Sequence, residues 1–394
     1  MHDHSNYAIR GTNVAGFTLA DSVISGTNGS NDASPFRDAS VAFDNLTGSS
    51  AVSNSNIAGG AADNFRAINT SGSLNRLTFT SVTVGANGAN GNDGVLLTSS
   101  GTATFNVTVQ NSTFTSARGD LLQYIHGGSG TGDLVLTGNA FSNNYPGIAT
   151  GGGGLSLSNE GTSGATTMAI NGNTFRDAVG HGVLIVKGTG SSTQTGTFSG
   201  NTIGVTGLAN SGSAEGSGLK LQTVGQGTLT WAVTNNTIFG YNNHGIEVLA
   251  GGGATLQSGT LNTTITGNTI AQPGNTVGTQ ALSKNGIHLN IGTVPGDTYQ
   301  ACAAIGGAGG LANSIATSGL DGVPLTGAGD NDFRLRQRQS TTIRLPGYGG
   351  ANNNDAAVLA FVAGNNGGNG VPVGLASNTV PTGGGFTGTG TGCP

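Results

Sequence analysis

Charge is the scarcest commodity in this chain. Only 8 % of its 394 residues are Asp, Glu, Lys or Arg, and three of those are lysines: Lys187, Lys220 and Lys284. With a net charge of −5 and its arginines mostly scattered, the chain has no electrostatic footprint for nucleic acid. The same scarcity excludes a charge-expanded disordered chain. No apolar run approaches the roughly 20 residues of a membrane helix. The opening MHDHSNYAIRG lacks the basic start and apolar core of a signal peptide, and because a repeat pattern is already running by Ile24, Met1 is expected to be the start of a piece of a longer secreted chain. Aromatics make up 5 %, with one tryptophan, Trp231. The two cysteines, Cys302 and Cys393, show no metal-binding spacing. A disulfide tying the last segment back is one expectation for them, and free thiols are the other.

Glycine is abundant, at 74 residues, and the modest hydrophobic content is regularly placed. VTVQNSTF (107–114), LVLTGNAF (134–141), MAINGNTF (168–175), GTFSGNTI (196–203), WAVTNNTI (231–238) and TTITGNTI (263–270) superimpose as alternating residues, an Asn or Ser turn, then Phe or Ile. Looser copies end at Ile24, Ile57 and Val84, giving about nine copies at a spacing of about 31 residues. A second strand recurs within each copy, as in GVLLT (94–98), DLLQY (120–124), GLSLS (154–158), GLKLQ (218–222), GIEVL (245–249) and GIHLN (286–290). Strand alternation at such a period predicts a solenoid whose coils stack about 4.8 Å apart. Ser112, Asn139, Asn173, Asn201, Asn236 and Asn268 then form one column, read as an asparagine ladder at a turn, with asparagine tolerating left-handed backbone there.

Over residues 12–295 this pattern resembles the right-handed parallel β-helix, the pectate-lyase-like superfamily. The resemblance implies an all-β rod of about nine coils over residues 1–298, with 299–394 as an irregular β cap and tail. That superfamily includes lyases, glycosidases, tailspikes, adhesins and carbohydrate-binding modules, and no catalytic motif of one family is present to carry over.

The arc from each second strand to the next Phe or Ile is nearly constant, whereas the return arc alternates short and long. Loops at 142–154, containing Tyr145, at 204–218, containing Glu215, and at 271–286 should leave one corner of every second coil, either as fingers beside a groove or as tolerated insertions. Alternation directs Arg66, Leu96, Leu122, Ser156, Leu184, Lys220, Glu247 and His288 outward, with Tyr124 and Gln222 in the next outward column. Lys220, Glu247, His288, Gln222, Tyr124, Tyr145 and Glu215 are therefore the candidate ligand-binding residues. The competing expectation is a solvated face with a Lys220–Glu247 surface pair worth at most about 1 kcal/mol.

Trp231 falls in an inward column above Gly196, which leaves room for an indole, so a core role is expected. His181 and His244 share a corner column two coils apart and are expected to face solvent; about 10 Å of separation would prevent joint chelation. A glycosidase would need two carboxylates roughly 5–9 Å apart, and Glu215, Glu247 and Glu160 offer no specific pair. No catalytic residue, metal site or cofactor is assigned; GAGDND (327–332) is only a weak match to a Ca²⁺ loop. NDFRLRQRQSTTIRLPGYGG (331–350), with Arg334, Arg336, Arg338 and Arg344, is expected to form the polar outer face of a cap over the last coil's open edge, with anion binding as the alternative. The expected function is non-catalytic, extracellular binding of a plant-type polysaccharide, with xylan the candidate that the resemblance names. A surface adhesin or spacer is the alternative, then a lyase or glycoside hydrolase. The expected partner is polysaccharide, with no nucleic acid and no membrane insertion, within a larger multidomain secreted protein.

Overall fold

A computed structural model describes the chain apart from residues 31–37, 89–90, 145–151, 254–256, 275–283, 320–330, 368–373, 379–383 and 390–391. Among the described residues the strands form three parallel sheets, so the chain is a parallel β-helix. The first sheet has 12 strands running from Ile9–Thr12 through Leu122–His126, Leu219–Thr223, His244–Ala250 and Asn285–Ile291 to Gly374–Asn378. The second, also of 12 strands, runs from Thr18–Ala20 to Gly385–Thr387. A short sheet of 9 two- or three-residue strands runs from Val23–Ile24 to Thr269–Ile270, and it contains all the Phe, Ile and Val anchors read from the sequence.

Inward residues fill the rod. On the first sheet Val95 and Leu97, Leu155 and Leu157, Val183 and Ile185, Ile246 and Val248 are fully buried. Each such side chain contributes about 1.5–3 kcal/mol on leaving water. Phe114, Phe141 and Phe175 stack with centroids 4.8 and 4.9 Å apart, which is the coil spacing itself. Trp231 is 1 % exposed, and a Cβ on Gly196 would lie 2.5 Å from its ring, so the missing side chain makes the space that the indole occupies.

The asparagine ladder is present and longer than its sequence pattern. Backbone N–H groups of Ser112, Asn139, Asn173, Asn201, Asn236, Asn268 and Asn313 each donate to the side-chain oxygen of the next Asn, at 2.9 or 3.0 Å, ending on Asn366. The left-handed residue is not the ladder Asn but the one before it: Asn111, Gly138, Gly172, Gly200, Asn235 and Gly267. That division leaves the ladder amide free to turn inward and satisfy buried donors.

Past residue 298 the same two long sheets continue, through Gln300–Ile305, Asn331–Gln337 and Thr342–Arg344. The helix Asp355–Gly364 starts where the Asn354 side chain accepts from the Ala357 N–H and buries Val358 and Val362. The expected disulfide joins Cys302 and Cys393, holding the tail against the outer face of the second sheet.

Two outward assignments, Leu122 and Tyr124, are wrong by a residue. Leu122 pairs with Val95 and Leu155, so it points inward, Gln123 takes the outward place, and Tyr124 is buried among Leu97 and Leu157. The Tyr124 hydroxyl donates to the Phe105 carbonyl at 3.0 Å. Most coils put glycine just before this strand; here Leu121 takes the glycine position, and a one-residue slip exchanges the two faces.

Candidate functional site

At the corner leading into the first sheet, side chains of several coils accept from the backbone N–H of the next coil, in runs interrupted at Gly153 and Ser217. Asp63 Oδ1 accepts from Asp93 N at 3.0 Å, Asp93 Oδ1 from Asp120 N at 2.8 Å, and Asp120 Oδ1 from Gly153 N at 2.6 Å. After Gly153 the same position passes to histidine: His181 Nδ1 accepts from Ser217 N at 3.0 Å and His244 Nδ1 from Asn285 N at 3.2 Å. Carboxylate and imidazole thus perform one structural task with opposite consequences for charge. Burial pushes Asp63 up to about 6, while Arg66 and the hydrogen bonds oppose the shift. Burial, then the neighbouring Asp120 and Asp63, also raises Asp93. Burial pulls His181 down to about 4, with Lys220 adding to the shift, and depresses His244 further. The corner histidines are therefore neutral ladder members, and His244, expected in solvent, is buried.

Beside this corner runs the outward column Arg66, Leu96, Gln123, Ser156, Leu184, Lys220, Glu247, His288 and Arg334. Its second half holds charge, but not as the solvated face expected. Lys220 Nζ lies 3.7 Å from Glu247 Oε1, with side chains only 17 % and 9 % exposed. Ser217 Oγ donates to Glu247 Oε2 at 2.8 Å. Removing one partner of so enclosed a pair would leave the other charge stranded, a larger penalty than at a surface pair. His288 is 7 % exposed, and its ring lies 4.3 Å from that of His244. Among the described residues, neither His288 nitrogen has a hydrogen-bond partner. Burial, then Arg334, Arg338 and Lys220, push His288 down to about 3, so it is neutral.

The next outward column is more accessible: Gln222, Leu249, Asn290 and Arg336 stand half-buried on successive coils. Gln222 donates to the Gly251 carbonyl at 3.2 Å. The structure therefore brings together Lys220, Glu247, His288 and, one column over, Gln222. It separates Tyr124, which is core. Glu215 is exposed in the 204–218 loop, with its N–H on the Val179 carbonyl. Tyr145 lies outside the described residues, as do much of the 142–154 and 271–286 loops. Of the GAGDND carboxylates, Asp330 is likewise outside them, and Asp332 is occupied by the N–H groups of Ser318 and Gly319 at 2.7 and 3.2 Å.

Two buried polar groups gave no sequence signal. Lys187 is fully buried, its ammonium donating to the carbonyls of Gly188 and Gly190 at 3.0 and 2.6 Å, and burial lowers it to about 8 against the pull of Glu160. His126 meets Ser99 Oγ at 2.7 Å one strand end earlier. Inward polar residues recur at this strand end in Asn69, Ser99, His126, Asn159 and Lys187, a column visible only once register is known.

Fold and site together define a parallel β-helix whose laddered corner runs beside a column that, apart from Arg66, gathers its charge in its second half. No protein-family model matches the chain, and no curated protein or solved structure matches it.

Proposed function

We propose that this chain is a non-catalytic polysaccharide-binding β-helix of the pectate-lyase-like kind, a module of a larger secreted protein. Its ligand would lie along the outer face of the first sheet, over the later coils. The observation that carries the reading is the row Gln222, Leu249, Asn290 and Arg336: half-buried side chains at about 4.8 Å intervals, with Lys220 and Arg334 in the adjacent column. Amide groups and an apolar step suit hydroxyls and sugar rings, and the local excess of cations suits a weakly acidic chain such as a uronate-bearing xylan. The disulfide fits an oxidising compartment. No helix among the described residues is long and apolar enough to cross a membrane.

Affinity gel electrophoresis against soluble glycans, with product analysis, tests the reading. Retardation by xylan without new reducing ends or unsaturated sugars is expected. Unsaturated product would make the protein a lyase, and no retardation across a broad panel would leave the adhesin or spacer.

A further inference from the structure

The geometry points to a binding site for one zinc-class divalent ion formed by His244, Glu247 and His288. These residues come from two adjacent strands, His244–Ala250 and Asn285–Ile291, with Glu247 directly opposite His288 in register. Each offers one ligand atom, and all three atoms lie within 4.8 Å of one another. A tetrahedral ion with bonds near 2 Å needs neighbouring ligands about 3.3 Å apart, so small side-chain rotations would close the site. The second observation is independent of that distance. His288 is 7 % exposed, yet both its ring nitrogens are buried without a hydrogen-bond partner among the described residues. Buried imidazole nitrogens are normally satisfied, and an unpartnered pair beside a carboxylate and a second imidazole is what a metal ligand looks like before it binds.

The surroundings select the ion. Lys220, Arg334, Arg338 and His181 bear electrostatically on the cluster, and the cationic ones oppose any dication. That field disfavours ions held by charge alone, such as Ca²⁺ and Mg²⁺, and leaves those that bond well to imidazole. Lys220, at 3.7 Å from Glu247, is the resident counter-cation that an incoming ion must displace. Ser217, donating to the other Glu247 oxygen, holds the carboxylate in place. The Asn285 side-chain amide lies 3.1 Å from His244 Nδ1; turned over, its oxygen would accept Nδ1–H and free Nε2 as the ligand. Loading would then exchange one rung of the corner ladder for the metal bond.

Titration of EDTA-dialysed protein with Zn²⁺ and, separately, Ca²⁺ by calorimetry tests the site, with Co²⁺ absorption as a spectroscopic readout. One Zn²⁺ per chain, no Ca²⁺ at this site, and Co²⁺ bands of a tetrahedral site are expected. His288→Ala and Glu247→Gln should each weaken Zn²⁺ binding at least about tenfold. Lys220→Met should strengthen it several-fold, an effect that a merely structural lysine would not give. His2→Ala/His4→Ala, removing the histidines that flank Asp3 near the N-terminus, should leave the binding intact. Wild-type protein that binds no Zn²⁺ at roughly 100 μM and shows no tetrahedral Co²⁺ spectrum overturns the assignment. So does binding that survives both His288→Ala and Glu247→Gln in variants shown by thermal unfolding to be folded.

Discussion

The early and late coils share a scaffold and differ in chemistry. In both, the corner before the first sheet supplies an acceptor to a backbone N–H, but Asp63, Asp93 and Asp120 do it early, and His181 and His244 do it late. The adjoining outward column changes too: after Arg66 it runs uncharged through Leu96, Gln123, Ser156 and Leu184, and then gathers Lys220, Glu247, His288 and Arg334. The scaffold demands only an acceptor at the corner; which one stands there decides the charge available beside it. Carboxylates in the early coils are buried against their preference to ionise, whereas neutral imidazoles in the late coils leave room for a charged column outside them.

The largest effect should come from the asparagine ladder, which runs from Asn139 in the early half through the late half to Asn366. Asn201→Ala removes the acceptor for the Asn173 N–H and the donor to the Ile170 carbonyl, both buried. Urea unfolding should show a loss of about 3–4 kcal/mol that is nearly independent of pH.

The two corners should then respond to pH with opposite sign. Asp63 is raised from 3.8 to about 6, so its contribution to stability is fully present below pH 3.8 and is lost as pH rises through 6. Asp63→Asn keeps an oxygen for the Asp93 N–H and should raise stability by about 2–3 kcal/mol at pH 8, with little change at pH 3.5. An Asn variant no more stable than wild type at pH 8 would mean the carboxylate is not penalised by burial. His181 is lowered from 6.5 to about 4, so its contribution is present above pH 6.5 and is lost as pH falls toward 4. His181→Asn should remove about 1–2 kcal/mol of acid sensitivity across that window, the smaller figure reflecting a ring that is only partly covered. An unchanged acid limb would show that another group carries it.

The fold was legible because its signals repeat. Phe114, Phe141, Phe175, Ile203, Ile238 and Ile270 occupy the same place in each coil, and Gly196 beneath Trp231 foretold the buried indole. The corner column was legible at His181 and His244, but its role as a ladder was not, for a physical reason: a backbone N–H donates to an Asp oxygen or a His nitrogen alike, so the column has a function without a residue identity. Its hydrogen-bonded steps also span between 27 and 41 residues, so no fixed period marks which of its members are bonded. The contact between His244 and His288 crosses from the corner column of one coil to the outward column of the next, and reading each column by itself cannot show it. Tyr124 failed at Leu121–Leu122, where two apolar residues in succession gave no cue to which began the strand.

The ligand reading stands on the late coils alone, and the most direct measurement compares the halves. Binding of soluble xylan should be titrated for Gln222→Ala/Arg336→Ala in the late half and for Gln123→Ala/Ser156→Ala in the early half, with both variants matched for melting temperature. The late-half variant should lose binding by tenfold or more, about 1.4 kcal/mol, while the early-half variant keeps wild-type affinity. Full affinity in the late-half variant, or loss confined to the early-half one, would contradict the account.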